Sequence, residues 1–335
     1  MKRKKILFIC GSMNQTTIMH QIALQMPESE NYFTPYYADG YVGFLAKHNM
    51  LDFTILGGEF RKRTLEYLIN NELPIDIGGK NGNYDLVFTC SDLIIPKNIL
   101  GSKIILVQEG MTDPENLAYR LVKYLKFPRW LSTAATGLSD KYDLFCVASE
   151  NYKDLFIAKG INPKKLVVTG LPNFDNCLKY LDNDFPLKGY VLVATSDMRE
   201  TFKYENRKKF INKAIEIAKG RQLVFKLHPN ENIKRAVKEI KKYVPDAIIY
   251  DKMSAEVLIA NCETLVTHYS SVVYVALALK KEVYSDFDVN ELLRLLPIQN
   301  GGKSAHNIAS VAKRLIGIDK KKRPVMRTLE NEYSV

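Results

Sequence analysis

Short apolar runs alternate with amphipathic segments of helical length along the first half of the chain. The apolar runs occupy residues 6–10, 86–90, 104–107, 144–148 and 166–169, and helical periodicity occurs at residues 15–26 and 152–159. Strands that alternate with helices are typical of a parallel sheet covered by helices on both faces. We therefore predict that residues 1–182 form a doubly wound, Rossmann-like α/β domain.

The same alternation starts again behind a short polar segment that contains Pro186 and Gly189, the best candidate for a linker. Strands are predicted at residues 190–195, 223–227, 247–250, 265–267 and 283–285, with helices at 205–219, 233–243, 254–261 and 272–279. Residues 189–300 are therefore predicted to form a second domain of the same kind. A last amphipathic helix, assigned to residues 303–318, is compatible with packing back on the first domain, and residues 319–335 form a basic tail.

Two doubly wound domains in one chain predict an α/β protein in which two parallel sheets face each other across a cleft. Open α/β sheets bind ligands outside the carboxyl ends of their strands. We therefore expect the loops that directly follow strands to carry the chemistry of the protein.

The composition agrees with this interpretation and narrows the class of protein. The chain has 335 residues, 46% of them hydrophobic and 25% charged, which is a globular composition long enough for two domains. It contains no apolar run of about 18 residues, the length that a membrane-spanning helix needs, so we expect a cytoplasmic protein. The five cysteines are far apart, which favours reduced thiols over disulfides or a cysteine-based zinc site.

The net charge of +11 is concentrated at the two ends of the chain. Residues 2–5 supply four positive charges and residues 320–335 a net three, so that residues 6–319 carry only a net four. Basic ends suit peripheral contact with the anionic inner face of a membrane, and solvated tails are the alternative. Nucleic-acid binding is not expected, because no basic cluster alternates with aromatic residues in a recognisable module.

Two regions of the first half carry candidate chemistry. Gly11 and Ser12 follow the first strand and open a helix, where they could receive one anionic or sugar group; an N-capped helix without a ligand is an equal alternative. The loop lacks the GxGxxG spacing of a dinucleotide site, so no nicotinamide or flavin cofactor is expected. Asp92 and Glu109 follow two neighbouring strands and could act as acid and base, with an N-cap or a surface charge as the alternative for each.

Two loops of the second half favour a phosphate ligand. His228 lies at the end of a predicted strand and is directly followed by Pro229. Ser270 and Ser271 directly precede a predicted helix. Hydroxyl groups and first-turn amides at the start of a helix bind phosphate, so we predict a pyrophosphate site. A structural histidine and a simple serine N-cap are the alternatives. No pair of histidines or cysteines has the spacing of a metal site, so no metal is expected.

The order of these motifs resembles that of the GT-B superfamily, and within it the non-hydrolysing UDP-N-acetylglucosamine 2-epimerases. The matching segments are Tyr84-Asp85-Leu86-Val87, Val107-Gln108-Glu109-Gly110, Val167-Val168-Thr169-Gly170, Arg199-Glu200 and His228-Pro229-Asn230. The resemblance implies two Rossmann-like domains across a cleft and places Asp92 at the position of a catalytic aspartate. The chain departs from the epimerases where Asp197 replaces a histidine, Gln108 a glutamate, and Ser270-Ser271 a glycine pair.

The segment Thr267-His268-Tyr269-Ser270-Ser271 is instead similar to the transferases that build wall teichoic acid and related surface polymers. That resemblance implies that Glu109 takes the place of their catalytic histidine, that His228 contacts a phosphate, and that the two serines bind the donor phosphate. Val275 stands where an acidic residue would hold the ribose, which leaves the donor nucleotide open.

These observations lead us to expect a metal-independent GT-B transferase. It would move a sugar, or glycerol phosphate, from a pyrimidine-nucleotide donor to a surface-glycan or lipid-linked acceptor, with Glu109 as the base. The leaving phosphate would be held by His228, Ser270, Ser271 and Arg199. Two alternatives stay open: a UDP-N-acetylglucosamine 2-epimerase-like isomerase that uses Asp92 and Glu109, and a catalytically inactive nucleotide-sugar-binding protein.

Overall fold

The computed structural model describes residues 3–113, 115, 117–125, 127–200 and 204–317. Two parallel β-sheets, each with helices on both faces, make up this part of the chain. The predicted basic tail at residues 319–335 and the basic residue Lys2 lie outside the described residues.

The first sheet contains β1 (Lys5–Cys10), β2 (Glu30–Pro35), β3 (Leu86–Thr89), β4 (Lys103–Val107), β5 (Leu144–Val147) and β6 (Leu166–Val168). In space their order is β2-β1-β3-β4-β5-β6, and every neighbouring pair is parallel. Phe8 pairs with Phe33 on one side and with Phe88 on the other, and its ring stacks on theirs with centroids 5.1 Å and 5.0 Å apart. This register aligns the carboxyl ends of the central strands.

The helices of the first half are α1 (Met13–Leu24), α2 (Gly40–Lys47), α3 (Gly58–Asn70), α4 (Leu117–Leu125) and α5 (Glu150–Lys159). The apolar pattern predicts α1 and α5 but does not predict β2, α2, α3 or α4. Strand β2 lies at the sheet edge, its first three residues are only partly buried, and it ends at Pro35. An edge strand of this kind tolerates proline and needs no continuous apolar run, so its sequence signal is weak.

The second sheet contains β7 (Tyr190–Ala194), β8 (Leu223–Lys226), β9 (Ile248–Tyr250), β10 (Cys262–Thr267) and β11 (Glu282–Tyr284), in the order β11-β10-β7-β8-β9. Its helices are α6 (Arg207–Ala218), α7 (Ile233–Tyr243), α8 (Ala255–Asn261), α9 (Val273–Ala278) and α10 (Val289–Arg294). All five strands match predicted positions to within three residues. The central strands β7, β8 and β10 are largely buried, whereas the edge strands β9 and β11 are only partly buried. Only the short α10 has no counterpart in the sequence pattern.

The last described helix, α11 (Ser304–Leu315), packs on the first sheet. Its buried residues Ile308 and Ala312 belong to the same apolar cluster as Phe8 of β1 and Ile18 of α1. The chain therefore crosses from the second sheet back to the first before the described residues end.

All five cysteines are buried and free. Burial raises the pKa of the Cys10 thiol to about 12, so this thiol is not reactive at neutral pH.

Across the described residues, none of the helices is both long enough and apolar enough to cross a bilayer.

Candidate active site

Glu109 lies just beyond the carboxyl end of β4 and is held by the loop that joins β1 to α1. The Ser12 hydroxyl donates to Glu109 Oε1 at 2.6 Å, and the Gln15 side-chain amide donates to Oε2 at 2.5 Å. The Asn14 side-chain amide donates to the backbone carbonyl of Glu109 at 3.1 Å. Hydrogen bonds to a carboxylate are among the stronger ones in proteins, so they fix this side chain while it stays only partly buried.

The loop at Gly11 and Ser12 supports Glu109. The Ser12 hydroxyl accepts the Gln15 N–H at 3.2 Å as the N-cap of α1 and also donates to Glu109. A Cβ atom at Gly11 would lie 1.9 Å from Gln15 Oε1, so glycine lets the Gln15 side chain fold over the loop. The structure thus shows the N-capped helix with Glu109 at its start, and the ligand role of Gly11 and Ser12 stays a prediction.

Asp92, the second predicted carboxylate, is fully buried and its oxygens are occupied. Its exposed fraction is 0%, Oδ1 accepts the Gly137 N–H at 2.8 Å, and Oδ2 accepts the Ser139 N–H at 2.9 Å. A carboxylate bonded to two backbone amides inside the fold holds a loop in place and is not accessible to a substrate. We therefore correct its predicted role from acid–base catalysis to structural support, and only Glu109 of the predicted pair is accessible.

A cavity of about 670 Å³ at the carboxyl ends of the second sheet brings together three predicted phosphate-binding residues. His228, Ser270 and Ser271 all line it. We call this space the donor cavity. It also contains polar groups that the sequence pattern does not single out: Thr195, Lys226, Asp251, Lys252 and Glu256.

His228 has a defined hydrogen-bonding state in the donor cavity. Its Nδ1 accepts the Asn230 N–H at 3.2 Å, which assigns the ring proton of the neutral imidazole to Nε2. Burial lowers the pKa of His228, so the ring is neutral at pH 7. Its backbone N–H donates to Thr195 Oγ1 at 3.0 Å, which ties the end of β8 to the end of β7. A neutral histidine with a donor at Nε2 is suited to hydrogen bonding with a phosphate oxygen.

Lys226, the last residue of β8, is a cation of the donor cavity that the sequence analysis misses. Its ammonium group donates to the carbonyls of Leu227 at 2.6 Å and Asp251 at 2.9 Å, which leaves one of its three protons for another acceptor. Burial lowers the pKa of Lys226. The sequence signal that could identify Lys226 is its place at the end of an otherwise apolar strand, two residues before His228.

His268 anchors the loop that carries Ser270 and Ser271. Its Nδ1 lies 2.5 Å from Asp286 Oδ2, its Nε2 lies 3.4 Å from Glu205 Oε1, and its ring stacks on Phe210 with centroids 4.0 Å apart. Burial alone lowers the pKa of His268, but the two carboxylates outweigh it, so the pKa is raised. The two carboxylates favour the protonated ring and hold the start of the serine loop.

Arg199 does not reach the predicted phosphate site. Its guanidinium donates to the Glu239 carboxylate at 3.0 Å and 2.9 Å, and it lies 3.2 Å from Glu205 and 3.6 Å from Glu231. Because Glu205 and Glu231 are also paired with Arg207, Arg199 belongs to a largely buried ionic cluster. Its predicted role in phosphate binding is therefore corrected to structural ion pairing.

Two contacts place Glu109 close to the donor cavity. A Cβ atom at Gly110 would lie 3.8 Å from Cβ of Ser271, so the residue after Glu109 packs against a serine of the cavity. Arg63 of α3 donates to the Asn230 side chain at 2.6 Å and to the Pro229 carbonyl at 3.3 Å. The first half of the chain thus meets both loops of the donor cavity, and Glu109 lies near that cavity.

The resemblance places Val275 where an acidic residue would hold the ribose, and the structure buries this side chain. Val275 is 1% exposed and packs inside α9. Glu256 of α8 is a carboxylate that does line the donor cavity, and its Oε2 accepts from the Ser254 hydroxyl at 2.6 Å. Over the residues described, no cluster of three or more histidine, cysteine, aspartate or glutamate side chains is arranged to hold a metal ion.

Comparison with known proteins gives the fold class. No protein-family profile matches the chain, and no curated protein matches it. The UDP-GlcNAc 2-epimerase of Neisseria meningitidis, solved with UDP-GlcNAc, is 14% identical, with a TM-score of 0.57 over 92% of this chain and 100% of that one. The Methanocaldococcus jannaschii UDP-GlcNAc 2-epimerase, solved with UDP-GlcNAc and UDP, is 15% identical, with a TM-score of 0.57 over 92% of this chain and 99% of that one.

A variant of the wall teichoic acid polymerase TagF is also similar, at 13% identity, with a TM-score of 0.50 over 94% of this chain and 89% of that one. This chain has the fold of these solved structures, the GT-B fold, which confirms the predicted fold class. At such identities the likeness concerns the fold alone.

Proposed function

We propose that the chain is a GT-B transferase that moves a sugar, or glycerol phosphate, from a pyrimidine-nucleotide donor to a surface-glycan or lipid-linked acceptor. One observation carries the proposal. Glu109, fixed by Ser12 and Gln15, lies beside a cavity lined by His228, Ser270 and Ser271. A positioned base next to a phosphate-binding cavity is the minimal arrangement for such a transfer.

The donor cavity would hold the phosphates of the nucleotide. His228 Nε2–H and the hydroxyl groups of Ser270 and Ser271 would donate to phosphate oxygens, and Lys226 would add positive charge. These groups stabilise the charge that grows on the nucleotide phosphate as it leaves. Glu256 would accept from a ribose hydroxyl, since the buried Val275 cannot.

Glu109 would act on the acceptor. Its carboxylate would take the proton of the acceptor hydroxyl while the acceptor oxygen forms a bond to the sugar carbon or to the glycerol-bearing phosphorus. The bond to the nucleotide phosphate breaks, and the electron pair leaves with that phosphate. General base catalysis of this kind contributes about 10²–10⁴ in rate.

The burial of Asp92 makes the transferase a better proposal than the epimerase. The epimerase alternative uses Asp92 and Glu109 together, but both carboxylate oxygens of Asp92 accept from backbone amides. The fold similarity does not distinguish the two reactions. A catalytically inactive binding protein is less favoured, because Glu109 is held by two specific side-chain donors.

A cytoplasmic location with peripheral membrane contact through the basic ends of the chain belongs to the same proposal. Residues 2–5 and 320–335 supply seven of the eleven net positive charges, and basic residues near an anionic surface contribute roughly 1 kcal/mol each. Deleting residues 320–335 is expected to weaken sedimentation with phosphatidylserine liposomes. Unchanged sedimentation would leave the tail without this role.

A donor panel tests the transferase proposal. UDP-, CDP- and CMP-activated donors are incubated with a hydroxyl acceptor, and release of free nucleotide is followed by chromatography. We expect one donor to be consumed only when an acceptor is present. Release with none of the donors would count against a transferase. If solvent deuterium enters the sugar C2 of a UDP-N-acetylhexosamine without an acceptor, the protein is an epimerase.

A further inference from the structure

A second cavity lies in the first half of the chain, and the proposed function does not use it. It has a volume of about 1260 Å³ and is formed by α2, the start of α3 and the loops around residues 77–83 and 97–98. We call it the N-terminal cavity. It is large enough for an extended ligand, since typical small-molecule sites are about 300–1,000 Å³.

The N-terminal cavity carries an excess of positive charge. Four basic side chains line it, and none of them forms an ion pair with a described residue: Lys47, Arg61, Lys80 and Lys97. Its two carboxylates are engaged with the backbone, because Asp39 accepts the Lys97 N–H at 2.7 Å and Asp52 accepts the Gly58 N–H at 3.0 Å. The unpaired cations give the cavity the charge that complements an anionic ligand.

Large apolar side chains stand exposed on the segment 41–53, which also supplies lining residues of the cavity. Tyr41, Phe44, Met50 and Phe53 are 73%, 55%, 60% and 55% exposed. Phe44 lines the cavity, and each of the other three is next to a lining residue in sequence. We call these four residues the apolar rim. Four exposed large apolar side chains within 13 consecutive residues are more than the isolated apolar residues usual on a folded surface, and such a concentration suits an apolar partner.

The walls of the cavity are fixed by buried hydrogen bonds. Asp76, which is 2% exposed, accepts the N–H groups of Lys80 and Asn81 at 3.0 Å and 2.9 Å. The Asn98 side chain donates to the carbonyls of Gly78 and Gly79 at 2.9 Å and 3.0 Å. The loop that presents Lys80 therefore has a defined shape in the absence of ligand.

From this combination we propose that the N-terminal cavity binds a lipid phosphate, a molecule with an apolar chain that ends in a phosphate or diphosphate. The head group would meet Arg61 and Lys80, and the chain would cover the apolar rim. Unpaired cations next to exposed aromatic rings fit this chemistry better than a neutral sugar, which needs no positive charge, or a simple anion, which needs no apolar surface.

The cavity is adjacent to Glu109 through one loop. Ile55 lies against Gly11, where a Cβ atom would be 3.3 Å from Ile55 Cδ1, and the next residues, Leu56 and Gly57, line the cavity. Helix α3 also carries both Arg61, in the cavity, and Arg63, which contacts the His228 loop. The inference deepens the proposed function, because a lipid phosphate bound here would be the lipid part of the acceptor. Only the identification of this ligand as the acceptor rests on that function, and binding of a lipid phosphate in the cavity does not.

Binding of farnesyl diphosphate, below its micelle concentration, tests the proposal by calorimetry on the full chain. Inorganic pyrophosphate and farnesol serve as the head and the tail alone. We expect farnesyl diphosphate to bind at least about tenfold more tightly than either, since burial of several methylene groups adds to the ionic contacts. Pyrophosphate or farnesol binding as tightly as farnesyl diphosphate would overturn the proposal.

Variants locate the site. The double variant Arg61→Ala/Lys80→Ala should weaken farnesyl diphosphate about tenfold or more, whereas the control Lys238→Ala/Lys242→Ala removes the same charge from exposed positions of α7 and should leave it unchanged. The variant Tyr41→Ser/Phe53→Ser should abolish the gain in affinity from geranyl to farnesyl diphosphate. If Arg61→Ala/Lys80→Ala and Lys238→Ala/Lys242→Ala weaken farnesyl diphosphate binding equally, the attraction is non-specific and the proposal is contradicted.

A last variant separates this inference from the proposed function. The His228→Ala change lies in the donor cavity and should leave farnesyl diphosphate binding unchanged. If that variant loses binding while Arg61→Ala/Lys80→Ala does not, the head group occupies the donor cavity and the inference is wrong. Absence of donor turnover, with farnesyl diphosphate still bound in the N-terminal cavity, would contradict the transferase proposal alone.

Discussion

Asp92 and Glu109 follow adjacent strands of one sheet, β3 and β4, yet the fold uses them in opposite ways. Asp92 is 0% exposed and accepts from two backbone amides. Glu109 is only partly buried and accepts from two side chains, Ser12 and Gln15. A carboxylate bound to backbone inside the fold maintains a loop, whereas one positioned by side chains at an open edge can meet a substrate. The position at a strand end is shared, and the hydrogen-bond partners decide the role.

The largest expected effect is on the rate of the Glu109→Gln variant. Glutamine keeps the size of the side chain and loses its basicity, so we expect kcat to fall by about 10²–10⁴ with the donor that the wild type turns over. The midpoint of thermal unfolding should change little, because a partly exposed side chain is replaced by one of equal size. Wild-type kcat in this variant would remove Glu109 from the mechanism.

The matched change Asp92→Asn should act on stability. It replaces a buried charged acceptor and turns an amide NH₂ toward a backbone N–H, so we expect a loss of about 1.5–3 kcal/mol in the free energy of unfolding, measured by urea titration. Turnover per folded molecule should stay within about twofold of wild type. A large loss of kcat with unchanged stability would return Asp92 to the catalytic residues and revive the epimerase alternative.

The smallest expected effect concerns pH and distinguishes the two histidines near the donor cavity. The pKa of a histidine in the unfolded chain is about 6.5. The folded pKa of His268 is raised, so its ion pairs stabilise the protein below pH 6.5, and this contribution is lost as the pH rises through the folded pKa. The folded pKa of His228 is lowered, so stability falls as the pH drops below 6.5.

The variant His268→Asn should accordingly lose more unfolding free energy at pH 5.5 than at pH 8.5, and His228→Asn should lose less at pH 5.5 than at pH 8.5. Urea titrations at the two pH values measure both differences. The same pH dependence in both variants would contradict the opposite charge states assigned to the two rings.

The sequence predicts the fold well because nearly every central strand is a buried apolar run. It fails at β2, an edge strand that ends at Pro35 and is only partly buried, and at α3, whose Arg63 contacts the loop at Pro229 and Asn230. The strand-end rule also finds Glu109, His228, Ser270 and Ser271, because parallel strands bring their carboxyl ends to one edge.

The errors in the site have a common cause. Arg199 is paired with Glu205, Glu231 and Glu239, which follow it in the chain. The residues around Arg199 in the sequence do not predict this ionic cluster. The role of Ser12 likewise depends on the distant Glu109. Local sequence predicts where a side chain lies along the sheet edge, whereas its partners are set by tertiary packing.

The central claim is that His228 and the two serines form a nucleotide-phosphate site beside Glu109, and calorimetric titration of the full chain with UDP and CDP tests it most directly. At least one nucleotide should bind, and the variant Ser270→Ala/Ser271→Ala should bind it about tenfold more weakly, as expected when two hydrogen bonds to a charged phosphate are lost. The variant Glu109→Gln should bind it as tightly as the wild type. Binding of neither nucleotide, or equal binding by the serine variant, would contradict the account.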